Sequence, residues 1–568
     1  MKTPRLASIT NPIGSSSPSR GYLADAVLLA IGGFAFLVGV IVWLDNAQAG
    51  LTANGIFKSM EMQPWISDPA TASIYPSNYL FYPLYGALCR ILDAFGILAG
   101  DARRQMAILN AASASLCVVA VYLLVRSMTQ DRLIALAASL FHLACNFVLV
   151  LAIINEDIMS GYAVTFASMA LAAVWFARPT SLRVVVVGIV FSVGWLLEWR
   201  LMFPTLPAMA AALWICEPKP ARRIGLIALL LGTVFAMACL AALLSYGHNG
   251  AAGPIGILWT GKGVGTAWGG FTWAKVGYLT DGLAGYLLGA GLTTFDKVGG
   301  WDIWRYGGMT LMAAIAFVGL SSLWHARSDN RSWALAAVFG GTFVAGEVFN
   351  LYSQPHDPQM QLNVMAWLTP AWALTLVAAR ARWPRRGFAS LLAASAVLLA
   401  YNLWSLTPLR GMDSAWKDSL ERIERIAPPA RTLFLVHDYG WMMGYAAYHW
   451  DHPRWGTDAL GPAPQDKPKF KWIGIAADLV YFPEWSLEKR TSEMRRQIDR
   501  ALELGYDVVS VEVWNMTLDT LLTTTGMVAD RQKIGALHAM LHRDFTATLI
   551  GDDPVAGPLY RLQRAPGR

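Results

Sequence analysis

The chain has 568 residues, 55% of them hydrophobic and 15% charged, with a formal net charge of +7. Soluble domains carry roughly 25% charged residues, so this composition excludes an ordinary soluble enzyme and makes a lipid bilayer part of the solvent. The basic excess is too small for a nucleic-acid partner and fits short loops at a membrane surface, while the five cysteines show neither CxxC spacing nor a disulfide framework.

Residues 1–21 are polar and read as a cytoplasmic N-terminal segment. Spans of roughly 20 apolar residues are then expected near 22–44, 106–126, 132–154, 158–177, 183–197, 201–216, 224–246, 307–325, 332–351, 361–379 and 387–406. The fifth and sixth are short, with Glu198-Trp199-Arg200 between them. The loop charges test this reading through the tendency of Lys and Arg to stay inside. With the N-terminus inside, the inner segments hold Lys2, Arg5 and Arg20, then Arg126 and Arg132, Arg178 and Arg183, Lys219, Arg222 and Arg223, Arg327 and Arg331, and Arg380, Arg382, Arg385 and Arg386. A shift by one span destroys the pattern. The odd span count leaves the C-terminus outside, in the periplasm of a bacterial inner membrane or its equivalent.

Two large outer loops follow from this, 45–105 and 247–306. The first contains Tyr82-Pro83-Leu84 and an apolar stretch that Arg90 and Asp93 interrupt, read as helices lying at the interface. The second is rich in Gly and Trp, and its Gly261–Gly270 run is not a P-loop, lacking both the motif order and a preceding strand. The membrane domain ends at 406. Residues 407–568 have ordinary polar content. Helices are expected over 414–426 and 487–504, and buried strands over 432–436 and 507–513. The fold class is therefore a polytopic α-helical membrane protein with a C-terminal soluble α/β domain.

Acids at the water edge of a membrane bundle are costly and mark function by default. Asp45 directly follows the first span, and Glu156-Asp157 directly follows the third. Each has a plain alternative: Asp45 caps the exit, and Asn155 with the two acids caps the next helix. The functional reading makes Asp45 a general base toward an acceptor hydroxyl, with Asn46 orienting that acceptor. Glu156 and Asp157 then form a second carboxylate site. If any metal binds, Mg or Mn on Asp45, Glu156 and Asp157 is the expected divalent cation; the cofactor is otherwise open. Arg200, Lys262 and Arg305 are expected at the outer edge, either snorkelling or compensating a phosphate. His356 and Asp357, in a proline-bounded segment, form either a turn or a phosphate contact. In the tail, His437-Asp438-Tyr439 reads as a strand-end turn.

These placements resemble the GT-C superfamily of integral-membrane glycosyltransferases, which take sugar from a polyprenyl-phosphate carrier. Members of that superfamily resemble this chain in the acid that opens the first outer loop, here Asp45, and in interfacial helices with a Pro-Leu segment, here Tyr82-Pro83-Leu84. They also share a second acidic motif, here Glu156-Asp157, and often a soluble C-terminal domain. The position after Asp45 is Asn46, where the protein-mannosyl and aminoarabinose branches have Glu. The Trp-Trp-Asp run of oligosaccharyltransferases is missing, so the resemblance stops at the superfamily. It implies a polyprenyl-phosphate-linked sugar donor and a glycan, lipid or protein acceptor. It further implies Asp45, Glu156 and Asp157 as catalytic residues, Arg200, Lys262, His356 and Arg305 on the donor phosphate, and Asn46, Tyr82 and Asp357 on substrate. A polysaccharide polymerase or ligase using a diphosphate-linked donor, and a transporter or flippase, are the competing expectations. Transporters place charge near the midplane and repeat their halves. Neither feature is present here.

Overall fold

In a computed structural model, the described residues are 20–45, 54–70, 78–244, 273–289, 302–325, 329–352, 358–383, 386–437, 448–450, 471–474, 485–525 and 531–566, with the single positions 72, 271 and 446. They fall into two compact units. The first is the membrane unit. The second gathers Asp45, the described residues up to Met60 and those from Leu409 onward.

The membrane unit is built from helices α1 (Arg20–Leu44), α3 (Phe81–Ala94), α4 (Ala102–Thr129), α5 (Arg132–Ala144), α6 (Asn146–Ile153), α7 (Ile158–Trp175) and α8 (Ser181–Leu197), preceded in part by the end of α2 (Asn54–Ser67). It continues with α9 (Trp199–Met202), α10 (Thr205–Cys216), α11 (Pro220–Leu244), α12 (Trp273–Leu287), α13 (Asp302–His325) and α14 (Asn330–Leu335). A π-turn at Ala336–Gly340 joins α14 to α15 (Gly341–Tyr352), and α16 (Leu368–Arg382) and α17 (Arg386–Ser405) complete it. Among the described residues eight helical runs are long and apolar enough to cross a membrane, and the bent pair α5–α6 makes a ninth. Helices α8 and α10, where the two short spans are expected, are apolar but shorter than these. Helices α2 and α3 have 14 residues each, too few to cross and matching the interfacial expectation in length.

The expected span over 132–154 differs from a single helix. It bends by 70° between Ala144 and Asn146, with Cys145 in an extended conformation (φ −59°, ψ 127°). Periodicity cannot show this, because both halves are apolar. The break is held by polar groups: Asn402 Nδ2 donates to the Ala144 carbonyl at 2.6 Å and the Leu287 carbonyl at 3.0 Å. Asn146 Nδ2 donates to the Gly285 carbonyl at 3.0 Å, and His142 Nδ1 lies 2.8 Å from Thr369 Oγ1. Helix α12, from the second large loop, is thereby tied into the bundle.

The second unit contains α18 (Met412–Ile426), α19 (Leu487–Glu503), α20 (Leu518–Thr525) and α21 (Arg531–Asp544). Its five-stranded sheet has the order β2-β1-β3-β5-β4, with β1 Thr432–Val436, β2 Lys471–Gly474, β3 Asp507–Val511, β4 Phe545–Asp553 and β5 Gly557–Arg564. Strand β1 runs parallel to β2 and β3, and β5 runs antiparallel to β3 and β4. Alternation along β1 serves two cores. Phe434 and Val436 pack with Trp416, Leu420 and Ile423 of α18, while Leu433 and Leu435 pack with Met494, Ile498, Leu537 and Leu541 of α19 and α21. The elements expected over 414–426, 432–436, 487–504 and 507–513 are all present, the last with a 3-10 turn at Val513–Asn515. The C-terminal hairpin β4–β5 is not among those expectations.

One carboxylate locks the hairpin turn to α18. Asp553, whose side chain is 1% exposed, accepts from Ser419 Oγ at 2.6 Å, Arg422 Nε at 2.7 Å, and the Val555 and Ala556 amides at 2.9 Å each. Burial by itself raises its pKa, but these donors outweigh burial and hold it at about 2. The folded value lies below the unfolded one, so this contribution is complete above the ordinary carboxylate range and is lost as pH falls through about 2. Asp553→Asn is expected to destabilise the unit by about 2 kcal/mol and to flatten its acid limb. Thermal unfolding of the full-length protein in detergent, followed from pH 7 down to pH 3, checks both.

Candidate functional site

At the end of the membrane unit where α6 and α8 finish and α4 and α7 begin, five helices meet around buried amides and acids. Asn78 precedes α3 and is fully buried. Its Nδ2 donates to Asp157 Oδ2 at 2.6 Å, Glu198 Oε2 at 3.0 Å and the Leu197 carbonyl at 3.1 Å. Two N–H bonds thus serve three acceptors. Two carboxylates around one nitrogen in a poorly solvated place attract positive charge and proton donors.

Each partner is placed by its helix. Asp157 is the N-cap residue of α7, but its side chain makes no cap bond to the helix. Its side chain turns instead to Asn78. Glu198 ends α8 in an extended conformation and is 1% exposed. Helices α7 and α8 approach through glycines: a Cβ at Gly161 would stand 2.9 Å from Glu198 Cβ, and one at Gly194 would stand 2.4 Å from Thr165 Oγ1.

Glu156 is 1% exposed. Its carbonyl accepts from Asn110 Nδ2 at 2.5 Å, and the same amide reaches the Ile154 carbonyl at 2.7 Å. Asn110 Oδ1 in turn accepts from the Tyr85 hydroxyl at 2.7 Å. Burial pushes the Tyr85 hydroxyl up to about 12, so it remains a neutral donor. Tyr82 is buried, sits edge-on to Phe81, and donates its hydroxyl to Glu61 of α2. That bond ties α2 to α3, which also meet where a Cβ at Gly86 would stand 2.6 Å from Trp65 Cβ. The Leu80 amide donates to the Leu196 carbonyl at 3.0 Å, joining this platform to α8.

Asp45 belongs to the second unit. It leaves α1 with φ 46°, a left-handed conformation that Asp and Asn tolerate better than most side chains. Its Oδ2 accepts from Ser414 Oγ at 2.6 Å, and its carbonyl accepts from the Asp413 amide at 3.3 Å. Arg200 lies in α9 and Arg305 in α13, and their side chains are outside the described residues, as are Asn46, Lys262, His356 and Asp357 altogether. Sequence reasoning names Glu156 and Asp157 but not Glu198, although an acid closing an apolar helix is the same signal. Asn78 carries no such signal. Among the described residues no group of three or more His, Cys, Asp or Glu side chains is arranged as metal ligands, and no step below is routed through a cation.

No protein-family model matches the chain, and no curated protein matches it. Solved structures do. ArnT from Cupriavidus metallidurans, solved bound to undecaprenyl phosphate, superposes with a TM-score of 0.53 at 14% identity, covering 96% of this chain and 98% of that one. This is a GT-C fold. The apo state of the same ArnT gives a GT-C match of the same quality, with a TM-score of 0.53, 14% identity, and coverage of 95% of this chain and 98% of that one. The arabinofuranosyltransferase AftD from Mycobacteria aligns with 97% of this chain and 40% of its own at 13% identity, with a TM-score of 0.43. The ArnT likeness thus runs over nearly the whole of both chains.

Removing the Asn78 amide takes away a donor that Asp157, Glu198 and the Leu197 carbonyl share. Asn78→Ala is expected to destabilise the membrane unit by about 1–3 kcal/mol. Gly161→Ala is expected to do the same by forcing Glu198 to shift. Thermal unfolding in detergent with tryptophan fluorescence measures both, and each should lower the melting temperature.

Proposed function

We propose that the protein is an inverting glycosyltransferase that takes a sugar from a polyprenyl-phosphate carrier at the outward-facing end of its membrane bundle. The observation that carries this reading is the convergence of Asp157 and Glu198 on the Asn78 amide, at the bundle end that the loop charges assign to the outside. The GT-C fold supports it, and so does the undecaprenyl phosphate bound to ArnT. The same class of carrier is assigned here, with a glycan, lipid or protein as acceptor. The site of action is the periplasmic side of a bacterial inner membrane, with the C-terminal unit in the periplasm.

The chemistry needs one base and one anion clamp. Asp45 takes the proton of the acceptor hydroxyl. The acceptor oxygen bonds to the anomeric carbon as the bond from that carbon to the carrier-phosphate oxygen breaks. The electron pair leaves on the phosphate, and a single displacement inverts the centre. A phosphomonoester leaves as an anion and needs charge compensation rather than a proton. Arg200, Lys262, Arg305 and His356 are assigned to that charge, with Asp357 orienting His356. Glu156, Asp157 and Glu198 accept hydrogen bonds from acceptor hydroxyls, Asn46 orients the acceptor, and Tyr82 holds the platform through Glu61.

Asp45→Asn tests the base directly. Asn suits the left-handed backbone at this position as well as Asp does, so the change removes charge and basicity without backbone strain. Transfer from a radiolabelled undecaprenyl-phosphate sugar by the purified full-length protein is expected to fall by about 10²–10⁴-fold, at an unchanged melting temperature. Wild-type transfer rates in this variant would remove Asp45 from the mechanism.

A further inference from the structure

Helix α15 carries one acid in an otherwise apolar span, Glu347, and the mechanism above does not use it. An ionisable group inside a membrane span is expensive and needs a stated reason. Glu347 is 8% exposed. Its Oε2 faces the Gln361 amide at 3.5 Å, the far limit of a hydrogen bond. Its Oε1 meets no donor among the described residues.

The segment opposite has the same imbalance. Two short 3-10 turns, Pro358–Gln361 and Val364–Trp367, lead into α16. They lie hard against α15, since a Cβ at Gly346 would stand 2.3 Å from Val364 Cγ2. Asn363, next to Val364, is 1% exposed. Its Nδ2 donates to Thr205 Oγ1 at 2.7 Å and to the Leu201 carbonyl at 3.4 Å. A carbonyl only accepts, so the Leu201 contact fixes which end of the amide faces it. The other end, Asn363 Oδ1, accepts from nothing among the described residues. One turn beyond Glu347, Asn350 Nδ2 donates to the Met360 carbonyl at 3.1 Å, and the same side chain also reaches toward the Glu347 carboxyl. The acceptor oxygens outnumber the donors, and Glu347 Oε1 and Asn363 Oδ1 are the ones left over among the described residues. A buried acceptor without a donor is costly, and a charged one more so.

A phosphate brings only acceptors and cannot relieve this. Hydroxyl or amino groups can. We propose that Glu347 and Asn363 form a subsite that binds hydrogen-bond donors on the transferred sugar, its hydroxyl or amino groups, and so help select that sugar. The subsite rests on the glycosyltransferase reading. It adds the part of the donor that the phosphate clamp does not read.

Glu347→Gln keeps the shape and removes the charge. The experiment measures binding of bare undecaprenyl phosphate and of undecaprenyl phosphate carrying glucose, mannose, galactose or arabinose to the full-length protein in nanodiscs. Wild type is expected to bind at least one glycosylated carrier more tightly than the bare one. Glu347→Gln is expected to lose about 10-fold of that gain, with bare-carrier binding unchanged and a melting temperature equal to or above wild type. A retained gain overturns the subsite, and so does a wild type for which no glycosylated carrier binds better than the bare one. A lower melting temperature in the variant, the mark of a structural brace, also overturns it. Failure of the bare carrier to bind overturns the carrier reading itself and the subsite with it.

Discussion

A backbone carbonyl inside a bilayer has no water to bond, and every helix that stops short leaves such carbonyls behind. Among the described residues buried asparagines repeatedly meet them, as Asn78 does at Leu197, Asn110 at Ile154 and Glu156, and Asn402 at Ala144 and Leu287. An amide suits this task because it donates twice without carrying charge. Where helices can stop, acids can be presented. Glu156, Asp157 and Glu198 all stand at such stops. The constraint that keeps the backbone satisfied is therefore the one that positions the site, and Asn78 serves both ends at once.

The C-terminal unit solves a different problem. In water its backbone is met by a ladder, and its sheet needs apolar cover on both faces. Helix α18 supplies one cover and α19 with α21 the other. The antiparallel hairpin closes one edge, and Asp553 fixes its turn. Here a carboxylate is spent on structure, with every oxygen matched to a donor. At Glu347 one oxygen has none among the described residues. Two buried acids thus separate by their partners.

Much of this was legible in residues alone. Long apolar runs bounded by arginines gave the helices of the membrane unit, and Thr432-Leu433-Phe434-Leu435-Val436 gave a central strand. What sequence hid has physical causes. The 70° break at Cys145 lies within uniform apolarity and is decided by Asn402, far along the chain. Strand β4 alternates weakly, with Leu549 exposed, so it shows little pattern. Of the site, Glu156 and Asp157 were readable because acids next to apolar runs stand out. Asn78 was not, since an asparagine in a polar loop has no periodicity and its importance comes from contacts with Asp157 and Glu198.

The glycine contact between α7 and α8 fixes how closely these helices stand. At Gly161 and Gly194 the two backbones are so near that even a methyl group does not fit between them. At these two points nothing fits between the backbones, and Asn78 ties the end of α8, at Leu197 and Glu198, to the segment before α3. The α7–α8 contact is thus a close-packed seam directly beside the corner where Asp157 and Glu198 meet Asn78.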